Sequence, residues 1–142
     1  MRKVILPAGL ILLAGALISS AAFQKQQPQK QQTEAGITEA SARTFISLLA
    51  EGKFSDAAES FDDQMKKAAP PEKLKEIWKG LTSKTGALRN QLDSEISSVW
   101  QDGEQYDVVL ITCEFERTRL RARVVLNSDK RVAGLYFTAA QH

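Results

Sequence analysis

Hydrophobic positions recur along this chain with two different periods, and the change between them divides it. Between Thr38 and Gly86 they fall three and four residues apart. Ala42, Phe45, Ile46 and Leu49 stand at i, i+3, i+4 and i+7, the spacing of one buried helical stripe. Thr38 precedes the stripe as an N-cap, Glu39 puts an acid in the first turn, and Gly52 follows as the residue that ends the helix. Ser55 reads as the cap of a second helix with Ala58, Phe61 and Met65 on its apolar side. Pro70 and Pro71 stop that segment and open a third helix, because proline suits a first turn. Leu74, Ile77, Trp78 and Leu81 form its stripe, which closes near Gly86.

From about Asp93 the period is two. Ile96, Val99 and Trp100 belong to a first strand, and Asp102-Gly103 is a turn signal ahead of a second. A two-residue loop there pairs Ile96 with Val109 and Trp100 with Gln105, with a bulge or a longer loop as the alternative. If Arg117 and Thr118 form the next loop, Phe115 faces Leu120, Cys113 faces Ala122, Ile111 faces Val124 and Val109 faces Leu126, and every pair is apolar. On the other face Glu116 then meets Arg119, Glu114 meets Arg121, and Thr112 meets Arg123. A slip of one residue would drive these charges into the core, so the faces are strongly specified. With Ser128-Asp129 as the last loop, Val124 faces Ala133, Ala122 faces Leu135, and Leu120 faces Phe137. Helices followed by strands predict an α+β fold: three N-terminal helices packed on one face of a curved four-stranded antiparallel sheet.

Ahead of this domain, residues 1–22 read as a cleaved signal peptide. Arg2 and Lys3 lead an apolar run from Val4 to Ile18, and Ser20-Ala21-Ala22 supplies small residues for cleavage. The run is shorter than the ~20 residues of a spanning helix, so no stable membrane span is expected after cleavage. The predicted location is exported, periplasmic or extracellular. Residues 23–36 are Gln-rich and interrupted by proline, which predicts a flexible linker. The domain is expected at 37–138, with a disordered tail at 139–142.

Removing the signal changes the charge. The full chain carries 19 Lys+Arg and 17 Asp+Glu, and residues 1–22 hold two of the bases and none of the acids, so the mature chain is neutral. Nucleic acid is not an expected partner, because its capture needs a basic face. Cys113 is the only cysteine, so stability is expected from packing rather than from disulfides, with Cys113 a buried small hydrophobe in mid-strand.

The order of elements resembles the cystatin-like, nuclear-transport-factor-2-like cone fold. More narrowly, the chain resembles domain-of-unknown-function family 3887. Gly52-Lys53-Phe54, Phe61-Asp62 with Met65, Leu74, Trp78, Gly86 and the closing Gly134-Leu135-Tyr136-Phe137 carry that likeness over residues 38–138. The resemblance implies an exported bacterial domain, found alone or ahead of an α/β-hydrolase domain, and it supplies no agreed catalytic residues.

Enzymes on cone folds work between helices and sheet with an acid or histidine on the inner sheet face. Here the three legible strands turn only apolar residues inward, so no general base and no catalytic residue is assigned. His142 is the single histidine and the last residue. Asp107 reads as a solvated strand end. Asp62-Asp63 reads as a solvated acidic pair near Lys66 and Lys67, with no His or Cys close by, so neither a metal nor another cofactor is expected.

Two regions remain as candidate sites. A cavity near Phe45, Trp78, Cys113 and Ala122 would hold a small apolar ligand. The outer sheet face carries Arg119, Arg121 and Arg123 with Tyr136. Beside them lie Leu110, Val125 and Val132, an apolar patch rimmed by charge of the kind that marks interfaces. Arg123 is the base left without an acid. The expected function is therefore a non-catalytic exported binding domain, its partner a second copy or another exported protein. The alternative is a small-molecule enzyme or carrier using the cavity.

Overall fold

In the computed structural model, residues 33–140 are described, and the compact unit that carries the sheet begins at Ile37. Residues 1–32, where the signal peptide and most of the linker are expected, and residues 141–142 with His142 lie outside the described residues. Helix α1 is described over 33–50, so it starts before the expected cap at Thr38. Thr38 is buried instead, and its hydroxyl donates to Asp107 Oδ2 at 3.4 Å. The stripe Ala42, Phe45, Ile46 and Leu49 is buried as its spacing requires, and Gly52 ends the helix with φ of 77°.

The second helix divides in two. Helix α2 spans Phe54–Glu59 with Lys53 at the N-cap position, so Ser55 lies in its first turn rather than capping it. Helix α3 spans Asp63–Ala68, capped by Asp62, whose carboxylate accepts from Met65 N at 2.8 Å. This capping role replaces the solvated pair expected of Asp62-Asp63. The break falls at Phe61 because its ring is wholly buried, 5.5 Å from that of Phe45, and its backbone bridges to Val132. Helix α4 spans Pro71–Thr85 and buries Leu74, Trp78 and Thr85. Trp78 reaches the rings of Phe115 and Phe137, each at 6.1 Å. Gly86 closes α4 with φ of 81°, and an added Cβ there would lie 2.6 Å from Glu116 Cβ, so only glycine fits.

The sheet is a simple meander, β1 Leu88–Gln101, β2 Glu104–Phe115, β3 Arg119–Leu126 and β4 Val132–Ala139, in that spatial order and antiparallel throughout. The class is α+β, helices then strands, as the period change predicts. In the first hairpin Ile96 pairs with Val109 and Trp100 with Gln105 across the two-residue Asp102-Gly103 loop. The other two registers differ from expectation by two residues. Cys113 pairs with Leu120, Ile111 with Ala122 and Val109 with Val124, because the loop is Glu116–Thr118 and Phe115 N donates to Thr118 O. Val124 pairs with Leu135 and Ala122 with Phe137, because Asn127–Arg131 form a longer loop held by the Asn127 side chain. A shift of two residues keeps every side chain on its face, so the core is unchanged.

One face assignment is corrected. The register slips between Val125 and Leu126, and this bulge turns Val132 inward, where it is 1% exposed and part of the core. Strand β4 also continues through Ala139, which pairs with Leu120, so the domain runs one residue past the expected boundary at 138.

Candidate functional site

The four residues proposed to border a cavity separate. Phe45, Cys113 and Ala122 are fully packed in the core, while Trp78 also lines a groove that opens between α4 and β4. Burial pushes the Cys113 thiol up to about 11, against a smaller opposing pull from Arg43 and a backbone hydrogen bond, so it is protonated and unreactive in the folded chain.

Asp107 is not a solvated strand end. It is part-buried and accepts from Lys130 Nζ at 2.7 Å, Ser98 Oγ at 2.9 Å and Thr38 Oγ1. Burial alone would raise its pKa, but the bonds from Lys130 and Ser98, the Lys130 charge and the Thr38 contact outweigh it and hold the carboxyl below its ordinary value. One side chain thus ties β2 to α1, β1 and the β3–β4 loop. Its oxygens are engaged structurally.

On the outer face the arginines find other partners than expected. Glu114 accepts from Arg119 at 2.9 Å and from Asn90, which together hold its carboxyl below the usual range. Arg121 lies 3.6 Å from Glu95 of β1, and Glu116 caps Ala87 N. Arg123 has no carboxylate within ion-pair distance among the described residues; its guanidinium sits 6.0 Å from the Tyr136 ring centre. The apolar patch is smaller than expected: Val132 is inside, and Leu110 and Val125 are half-buried. Tyr136 folds over Gly134, where an added Cβ would lie 3.2 Å from its ring. The face still presents Arg123 and Tyr136 side by side.

Two larger depressions are lined by charges of both signs. One of about 1000 Å³ is lined by Arg89, Arg117, Arg119 and Arg121 together with Asp93, Glu114 and Glu116. Another of about 530 Å³ runs between α1 and the β3–β4 loop, with Lys130 held by Asp107 and Arg131 by the carbonyls of Glu59 and Phe61.

The α4–β4 groove is different. It encloses about 260 Å³ and is lined by Leu49, Leu74, Trp78, Leu81, Leu135 and Phe137, with Ile77, Gly80 and Lys84 on the helix flank. That is smaller than the ~300–1,000 Å³ usual for small-molecule pockets. It lies beside the free edge of the sheet. Val132 N donates to Ser60 O, and Asp62 N donates to Val132 O, so the start of that edge is covered. Ala140 N donates inward to Arg119 O, which by strand alternation turns the N–H and C=O groups of Leu135, Phe137 and Ala139 outward. Among the described residues these outward groups have no hydrogen-bond partner.

Sequence reasoning placed Ile77 in the buried stripe of α4, but it is 50% exposed on the groove. Of the groove residues, Gly80 and Lys84 were not singled out, and Leu135 and Phe137 were read only as part of the inner sheet face. A signal existed in the letters: β4 reads VAGLYFTA, without charge, whereas the other three strands all carry acids or bases.

Helices followed by an open antiparallel meander with a bare last edge define an α+β domain with one covered sheet face. The chain belongs to the family described as Protein of unknown function (DUF3887), whose model matches residues 42–135, more than half of its length. A search of curated proteins finds no match. Among solved structures, the chain is similar to an NMR structure of a protein from Ruminococcus gnavus ATCC 29149. The two share 14% identity with a TM-score of 0.60, over 71% of this chain and 88% of that one. At that identity the likeness speaks to fold alone.

Proposed function

We propose that this chain is an exported, non-catalytic interaction domain that holds a partner along the β4 edge and the α4 groove. The observation that carries the reading is the outward row of backbone groups at Leu135, Phe137 and Ala139, flanked by Ile77 on the helical side and Tyr136, 57% exposed, on the outer side. An unpaired strand edge beside an apolar groove is the surface used in strand addition, where backbone bonds supply affinity and side-chain pockets supply selectivity. Export is supported by the basic, apolar and small-residue order of residues 1–22. The wider kinship with the cone folds is supported by the helices-then-meander order.

Hydrogen exchange tests the binding surface. The amides of Leu135, Phe137 and Ala139 are expected to exchange rapidly in the isolated mature chain and to slow when it is mixed with the proteins exported by the same cells. Unchanged exchange at all three removes the reading. Sedimentation of the mature chain beside Val125→Lys separates self-association through the outer face: a dimer that the lysine abolishes would move the interface there. Cell fractionation tests export, and a full-length chain retained in the cytoplasm would refute it.

A further inference from the structure

We infer that the occupant of the β4 edge is an extended segment of another protein, apolar at alternate positions and bearing carboxylates, rather than a second copy of this chain. The inference rests on the binding surface proposed above and adds the chemistry of what binds there.

Charge around the edge is one-sided. Strand β4 has no charged residue. The one charged residue that lines the groove is Lys84, and Arg123, paired with Tyr136 in the sheet, lies against its ring. Neither has a carboxylate within ion-pair distance among the described residues, whereas Arg119 and Arg121 on the same outer face as Arg123 each have one. Lys84 stands near the end of β4, because the last turn of α4 holds the β2–β3 loop: Arg117 N donates to Thr85 O, and Leu120 just beyond that loop pairs with Ala139. A second β4 would bring no acid to either cation. An acidic segment brings one to each.

Gly80 is the independent observation. It interrupts the middle of α4, where glycine is less favourable than alanine by about 0.8–1.0 kcal/mol. Nothing in the fold demands it: an added Cβ would meet no atom within 4 Å, and its φ is not left-handed. Its position on the groove flank, between Ile77 and Lys84, leaves room for an arriving side chain. The three outward residues Leu135, Phe137 and Ala139 set the length, a segment of about five or six residues.

Fluorescence anisotropy with two labelled heptapeptides of alternating threonine and leucine tests this, one capped at both ends by aspartate and its twin by lysine. The mature chain is expected to bind the aspartate peptide at least tenfold more tightly. The double variant Lys84→Glu with Arg123→Glu is expected to reverse that order. Gly80→Gln, which sits on an exposed helix flank, is expected to weaken the aspartate peptide at least tenfold while raising the melting temperature. Equal affinity for both peptides, or an order that survives the charge reversal, overturns the acidic occupant and leaves edge binding standing. If neither peptide binds and the three amides stay unprotected, edge binding falls as well.

Discussion

Strand β1 ends the sheet with Arg89, Asp93 and Glu95 along its length and two register shifts near its base, whereas β4 ends it with eight uncharged residues. On the β1 side Arg43 reaches across from α1 to bond Leu92 O at 2.7 Å, and Gln91 and Ser94 are held by α1 as well. On the β4 side the outer backbone bonds among the described residues are those of the first residue, Val132, with Ser60 and Asp62. Charges, bulges and tethers are the devices that keep a sheet edge from pairing with another strand. Their concentration at the base of β1 and their scarcity along β4 past Val132 teach that the two edges are guarded unequally where the helices meet the sheet.

The largest expected effect comes from breaking the cover at the start of β4. Phe61→Ala removes the ring packed on Phe45 and loosens the Ser60–Asp62 bridge, and should cost about 3–5 kcal/mol by urea denaturation. Next is Asp107→Asn, which weakens the ties from Lys130 and Ser98 and should cost about 1–3 kcal/mol at neutral pH. Because the folded pKa of Asp107 is lowered, its contribution is fully present above the ordinary carboxylate value of about 3.9 and is lost as pH falls through the lower folded value. The gap between wild type and variant should therefore close in acid, as read from melts at stepped pH.

Arg43→Met tests the guarded edge. It removes the bond to Leu92 O and the 2.8 Å pair with Glu39, and should cost about 1 kcal/mol and speed amide exchange along β1 but not β4. The smallest effect is on the open edge. Gly80→Ala should stabilise by about 1 kcal/mol in the same melts, since the fold makes no use of the glycine there. A loss of stability instead would mean that α4 needs it.

How much of this was legible in the letters depends on what parity can carry. Alternation assigned inner and outer faces correctly across β2 and β3, and a register shift of two residues leaves that assignment intact. Loop length is not written in alternation, so both later hairpins were paired two residues off. Val132 was misplaced because a bulge breaks parity with no residue type to announce it. Arg121 was matched with Glu114 rather than Glu95 because the register of β1, which supplies Glu95, was open and that of β3 was two residues off. Of the candidate site, Trp78, Arg123 and Tyr136 were named from sequence. The edge that joins them was not, because a helical stripe alone does not reveal that Ile77 lies just past the sheet's last strand.

Cys113 has a consequence in the time domain. It is the only cysteine, lies near the end of β2 with no solvent exposure, and its thiol is protonated when folded. Any reagent that labels it must wait for the sheet to part from the helices. In excess reagent at alkaline pH, where the released thiolate reacts faster than the core recloses, the labelling rate becomes the opening rate itself. The chain therefore carries its own clock, and a partner bound only to the folded form would slow it.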